Sequence, residues 1–262
     1  MRVVLIVGTY RGAGVKTVGA VVIHVTRERI ADVAARLNVD FVTRVHRHLE
    51  RRRELERAGA RAIGRFELGE TLQPLGFSNN GSAHARVVFA GYGITAPGFA
   101  WDDYAGLDVH DALVLVLTQE PGEMDSTSRF DGNINTPFAD LRTKAINARE
   151  HGALGLLVVN GPRFHAGEPP RAPARDGEGY MSSGLLGAWI SQEAADALLA
   201  ATGTTLAALQ DSIETTQQPR SRALPDSATL IVNVRRTRAT TRNVVAILPG
   251  RDTTRTLVLG AH

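Results

Sequence analysis

Two predominantly apolar runs, residues 113–118 and 154–160, stand on either side of a helix-like stretch, and together they restrict the chain more than any other feature. Apolar residues without alternation suit strands covered on both faces, the usual state of parallel strands in a sheet flanked by helices. Between the runs, Thr136 and Pro137 predict a helix start, with Thr as the cap and Pro at the first helical position, where its missing N–H costs nothing. Phe138, Leu141, Ala145 and Ala148 then recur on one helical face. His151 and Gly152 predict the stop, Gly for a left-handed backbone and His for the negative end of the helix dipole. Strand, crossover helix and strand in that order imply an α/β arrangement in which the helix covers the sheet.

The surrounding segments extend this pattern. Residues 86–92 form a β-rich run closing in Gly91-Tyr92-Gly93, and 186–190 a short strand. Ser191 predicts the cap of a helix over 192–201 that ends at Gly203, followed by a second helix over 206–213. Residues 227–234 alternate as a half-exposed strand does, and 243–248 and 256–259 read as further strands around a Pro249-Gly250 turn. Near the start, 3–7 and 18–25 read as strands, and 27–37 and 45–62 as helices. Residues 164–183, rich in Pro, Gly and charge, predict an exposed loop long enough to serve function.

Hydrophobic residues make up 43% of the 262, and charged residues 22%, which excludes the composition of a disordered chain. No stretch approaches the roughly 18 apolar residues of a membrane span, and the opening apolar run is shorter than a secretory signal, so neither is expected. The absence of cysteine excludes disulfides, thiolate metal sites and cysteine nucleophiles. The net charge of +3 is unevenly spread: residues 1–65 hold 14 Arg and Lys against 6 Asp and Glu, and the rest hold 16 against 21. That shift predicts a boundary. No nucleic-acid motif accompanies the basic end, so nucleic acid is not an expected partner. Gly8 to Thr17 misses a phosphate loop because Val15, not Gly, precedes Lys16. Arg51 to Arg57 alternates charges at helical spacing, which predicts a solvated face.

The residues able to do chemistry are few. His84, His110 and His165 fall in predicted turns or loops with no partner at metal-ligand spacing, and His46 and His48 fall on different sides of a helix. Asp102 and Asp103, between Trp101 and Tyr104, predict a turn into the next strand rather than paired acids for hydrolysis. Asp140, Arg142, Lys144, Arg149 and Glu150 predict a charge network on the helix surface.

A series of phrases runs in order along residues 72–262. It includes Pro74-Leu75-Gly76-Phe77-Ser78, Val87-Val88-Phe89-Ala90-Gly91-Tyr92-Gly93-Ile94 and Asp102-Asp103-Tyr104-Ala105-Gly106-Leu107-Asp108-Val109. Further on stand Ala139-Asp140-Leu141-Arg142-Thr143-Lys144-Ala145, then Asn147 to Ala153, then Thr241-Arg242-Asn243-Val244-Val245-Ala246-Ile247-Leu248-Pro249-Gly250. In this series the chain resembles the aminopeptidase branch of the di-zinc exopeptidases, in the members that carry an inserted protease-associated domain.

The resemblance implies an α/β fold: a protease-associated domain, a β-rich sheet with covering helices, followed by the first strands of an α/β zinc-peptidase domain. It implies three parts, an unassigned basic segment 1–70, the protease-associated domain with its flanks over 71–225, and the incomplete start of the peptidase domain over 226–262. The ending Leu259-Gly260-Ala261-His262 matches the strand that leads to a His-x-Asp zinc phrase, so His262 would be one zinc ligand of two-zinc chemistry, the remaining ligands and the catalytic Glu lying beyond it. The part present would then be a non-catalytic lid beside the cleft of an enzyme whose substrate is a peptide, with 164–183 facing partner or substrate. The other reading is a free-standing module that holds a peptide or protein without chemistry. Residues 1–70 lack the family's usual helical phrase before the insert, and a mis-started or frame-shifted translation is the expectation there.

Overall fold

The two apolar runs are strands in which every residue is buried, Leu113–Leu117 and Gly155–Val159, and they pair in parallel from Leu113 opposite Gly155 to Leu117 opposite Val159. The computed structural model describes residues 3–5, 21–26, 72–170 and 182–234. Its strands in chain order are β1 (Val3–Leu5), β2 (Val21–Thr26), β3 (Leu72–Pro74), β4 (Gly81–Phe89), β5 (Thr95–Ala96), β6 (Trp101–Asp102), β7 (Leu113–Leu117), β8 (Gly155–Val159), β9 (Leu186–Ile190) and β10 (Arg222–Val232). The α-helices are α1 (Leu141–Glu150), α2 (Pro162–His165), α3 (Gln192–Leu199) and α4 (Leu206–Thr216). Eight strands form one mixed sheet in the order β1-β2-β10-β4-β7-β8-β9-β3, with β5 and β6 as a separate hairpin. Strands β4, β7, β8 and β9 are mutually parallel. The remaining pairings are antiparallel. The fold is α/β with a mixed sheet.

Alternation within the parallel strands divides the core in two. Leu113, Leu115, Leu117, Leu157 and Val159 share one cluster with Leu198, Leu206, Leu209 and Ile213 of α3 and α4. Val114, Val116, Leu156 and Val158 point the other way and pack with Ala145 and Ala148 of α1. Both faces of these strands are therefore covered, which is why their sequence shows no polar alternation. Alanine on the inner stripe of α1 lets that helix lie close to the sheet.

The helix start differs from the sequence expectation. Thr136 does cap a turn with Pro137 at its first position, but the turn is a short 3-10 helix, Pro137–Ala139. Asp140 then takes extended backbone angles and caps α1 itself, its carboxylate accepting from the Thr143 N–H at 2.9 Å. The break rotates Phe138 away from the α1 stripe, and its ring joins Phe99 and Phe130 on the other core. The predicted stop holds: Gly152 has φ +87° and the His151 backbone N–H bonds back into the helix.

Strand β10 crosses between two partners, β2 and β4. Its register against β4 slips between Ala223 and Ser227, which gives Pro225 a place in the strand where its missing N–H is not needed by the ladder. Residues 27–37, 45–62, 243–248 and 256–259, predicted as helices and strands, lie outside the described residues, as do Gly8 to Thr17, His46, His48 and Arg51 to Arg57.

Candidate functional site

Parallel strands present their carboxyl ends at one edge of the sheet, where the loops after β4, β7 and β8 gather, and polar side chains concentrate there. After β4 the chain turns through Gly91 and Gly93, with φ of +48° and +70°. Asp103 locks this turn: its Oδ2 accepts the N–H of Tyr92 at 3.1 Å and of Ile94 at 3.0 Å. A Cβ at position 91 would stand 2.3 Å from Asp103 Oδ1, so only glycine fits between turn and carboxylate.

Lys144 is not part of a surface network, contrary to the sequence expectation. It is 1% exposed, and its ammonium donates to the carbonyls of Tyr92 at 2.5 Å and Gln119 at 2.6 Å. Those carbonyls terminate two different strand-to-loop transitions, and Asn147, one helical turn further on, donates to Gly93 O. Helix α1 thus holds the ends of β4 and β7 together. Burial pushes the Lys144 pKa down and the nearby Asp103 carboxylate opposes it, while burial pushes the Asp103 pKa up against its hydrogen bonds and the lysine charge. Of the other charged residues on this helix, Asp140 is its exposed cap and Arg149 donates to Ser183 O at 2.6 Å.

Glu120 and Glu214 close the loop after β7. Both oxygens of Glu120 accept from Thr136, from its N–H at 2.8 Å and its hydroxyl at 2.5 Å. Glu214 on α4 accepts the Tyr92 hydroxyl at 2.5 Å and the Gly122 N–H at 3.0 Å. One turn earlier on α4, Gln210 donates to the Tyr92 hydroxyl at 3.1 Å and accepts the Arg163 N–H at 2.8 Å. Burial, reinforced by Glu214, drives the Tyr92 pKa well above that of a free phenol, so the hydroxyl stays a donor.

His165, predicted to lie in a loop without partners, ends the short helix α2 between two carboxylates. Its Nε2 lies 2.7 Å from Glu123 Oε1 and its Nδ1 3.1 Å from Glu168 Oε1. Burial opposes the imidazolium, but the hydrogen bonds and charges of Glu168 and Glu123 outweigh it, and the pKa is raised. Burial raises the Glu123 pKa too, despite His165. The other histidines differ: His84 lies in β4 rather than in a turn, exposed and 2.9 Å from Thr229 Oγ1, and His110 is exposed in a turn 3.0 Å from Asp111. Asp102 lies in β6 and accepts from Thr95 and Tyr104.

The predicted zinc ligand His262 lies outside the described residues. Among the described residues no group of three His, Asp or Glu is placed to hold a metal ion. The trio Glu123, His165 and Glu168 does not fit zinc: both imidazole nitrogens face carboxylate oxygens and are needed as donors, which leaves no lone pair for a metal. A cavity of about 530 Å³ opens elsewhere, along the β5–β6 hairpin between Pro97, Ala100, Asp102 and Pro219, and Lys144, Glu120, His165 and Glu214 do not line it. Of the predicted loop 164–183, residues 171–181 are outside the description, while Ser183 is buried and donates to Phe77 O. No helix of the described residues is long and apolar enough to cross a membrane.

No protein-family profile and no curated protein matches the chain. Among solved structures it is similar to an aminopeptidase from Aneurinibacillus sp. strain AM-1, at 20% identity and a TM-score of 0.36, over 63% of this chain and 29% of that one. It is also similar to BSAP, a zinc aminopeptidase from Bacillus subtilis, at 17% identity and a TM-score of 0.33, over 63% of this chain and 28% of that one. The chain thus matches less than a third of the length of either structure.

Proposed function

We propose that the chain is the non-catalytic, protease-associated part of a zinc aminopeptidase that removes N-terminal residues from peptides, serving as a lid beside the active-site cleft. The observation that carries this reading is the use to which the acidic residues are put. Both oxygens of Glu120 and of Glu214 are occupied in fixing loops, and Asp103 Oδ2 accepts two backbone N–H groups of the Gly91–Gly93 turn, so these side chains serve the fold rather than stand poised on a substrate. The ordered series of phrases from Pro74 to His262 supports the family. In this reading residues 71–225 are the protease-associated domain, 226–262 open the peptidase domain, and 1–70 stay unassigned. His262 would be the first zinc ligand, the two zinc ions would belong to the full-length parent, and the partner would be the peptide substrate, met by residues 164–183.

The second reading, a free-standing module that binds a peptide or protein, draws on Met124 and Ile134, which are 68% and 75% exposed on the connection between β7 and α1. Reading the coding DNA beyond codon 262 separates the two. The lid reading expects an in-frame continuation with an Asp two residues after His262 and, later, the Glu pair and the remaining zinc ligands. A stop codon directly after His262 would overturn it in favour of the binding module.

A further inference from the structure

We propose that His165 is a proton-dependent clasp, joining α2 and the following residue Glu168 to the β7–α1 connection at Glu123 only while the cluster holds two bridging protons. The inference is independent of the lid reading and follows from hydrogen-bond arithmetic. Each imidazole nitrogen faces a carboxylate oxygen, Nε2 toward Glu123 at 2.7 Å and Nδ1 toward Glu168 at 3.1 Å. A carboxylate oxygen only accepts, and a neutral imidazole carries one N–H. Both contacts therefore require two protons, and the clasp carries both on the ring, as an imidazolium. The loss of one proton sets two lone pairs facing each other and one contact opens.

Geometry also says which contact opens. Glu123 is 9% exposed on its side chain and holds the shorter contact, whereas Glu168 is 45% exposed and holds the longer one. Water can replace Glu168 but not Glu123. Among the charged groups on the neighbouring elements, Glu214 of α4 adds negative potential at Glu123, and Arg163, two residues before His165 in the chain, has its guanidinium paired with Asp211 of α4 at 2.6 Å. Helix α3 contributes an amide, Gln192, which donates to His165 O and accepts the Gly167 N–H, and Asn160 donates to the carbonyls of Glu168 and Pro169. These contacts do not titrate. Deprotonation thus frees the Glu168 side chain and slackens residues 165–168 without unfolding α2.

The test is a titration of the full chain labelled with nitrogen-15, following the imidazole nitrogens from acid to alkaline pH, with the His165 signals assigned by their loss in His165→Asn. The expected result is that both His165 nitrogens stay protonated above the ordinary histidine pKa of about 6.5. Amide exchange at residues 165–168, corrected for its intrinsic pH dependence, should speed up roughly tenfold as that proton leaves. Glu168→Gln, which keeps an acceptor but removes the charge, should move the titration to lower pH, so the proposal stays testable even if His165→Asn folds poorly. A His165 with one unprotonated nitrogen below about pH 6, or protection that ignores its titration, would overturn the proposal.

Discussion

The Lys144 ammonium lies 2.5 Å from the carbonyl oxygen of Tyr92, and this contact fastens α1 to the turn that follows β4. The same ammonium reaches the carbonyl of Gln119 after β7 at 2.6 Å. Replacing Lys144 with Met keeps the stem and removes the charge. Two buried carbonyls and the Asp103 carboxylate then lose their cation, and the expected loss is about 3 kcal/mol of unfolding free energy. Urea denaturation of the two proteins measures it, and unchanged stability would mean that the ammonium only fills space.

Gly161 packs directly on the amide of Gln210. A Cβ there would lie 2.3 Å from Gln210 Nε2, and the amide is buried and bonded at both ends, so it has little room to retreat. Gly161→Ala is expected to cost about 1–3 kcal/mol through overpacking and a disturbed Tyr92 contact. Thermal unfolding compared with Gly203→Ala, where a Cβ meets nothing but the backbone has φ of +72°, separates crowding from backbone strain.

Tyr92 and Glu214 form a phenol-carboxylate hydrogen bond at 2.5 Å, inside a shell completed by Gln210. Tyr92→Phe leaves both partners short of a bond at a buried position, with an expected cost of about 2 kcal/mol. In a double-mutant cycle with Glu214→Gln the coupling should be about 1–2 kcal/mol. Additive effects would show that the two residues act separately.

His165 has a folded pKa raised above its unfolded value, so its contribution to stability is complete below the unfolded pKa and is lost as pH rises through the folded one. Glu123, an acid whose pKa is also raised, works in the same direction, since its protonated form is favoured by folding. The stability difference between the parent protein and His165→Asn should therefore be largest on the acid side and shrink toward alkaline pH. Denaturation midpoints across that range measure it, and a difference that grows with pH would contradict the assignment.

The sheet was legible because its parallel strands are buried on both faces, and burial writes itself into Leu113–Leu117 and Gly155–Val159 as unbroken apolar runs. Caps were legible too, at Ser191 and at Gly203 with φ of +72°. The start of α1 was misread because Thr136 with Pro137 is a genuine cap, and the second cap at Asp140 follows only one 3-10 turn later. The burial of Lys144 is encoded in its position: at 100° per residue it falls in the stripe of Leu141, Ala145 and Ala148, a lone charge on a buried face. The His165 clasp could not be read locally, because Glu123 is 42 residues away and only the fold brings it near.

Assaying the purified full chain with added zinc on an aminoacyl anilide asks whether the acidic and basic residues at this sheet edge serve the fold and not turnover. No turnover above the blank is expected, in the unsubstituted chain and in Glu123→Gln or Glu214→Gln alike, with the variants changed only in stability. Zinc-dependent release of the anilide that disappears in Glu123→Gln or Glu214→Gln, with the fold intact, would contradict it.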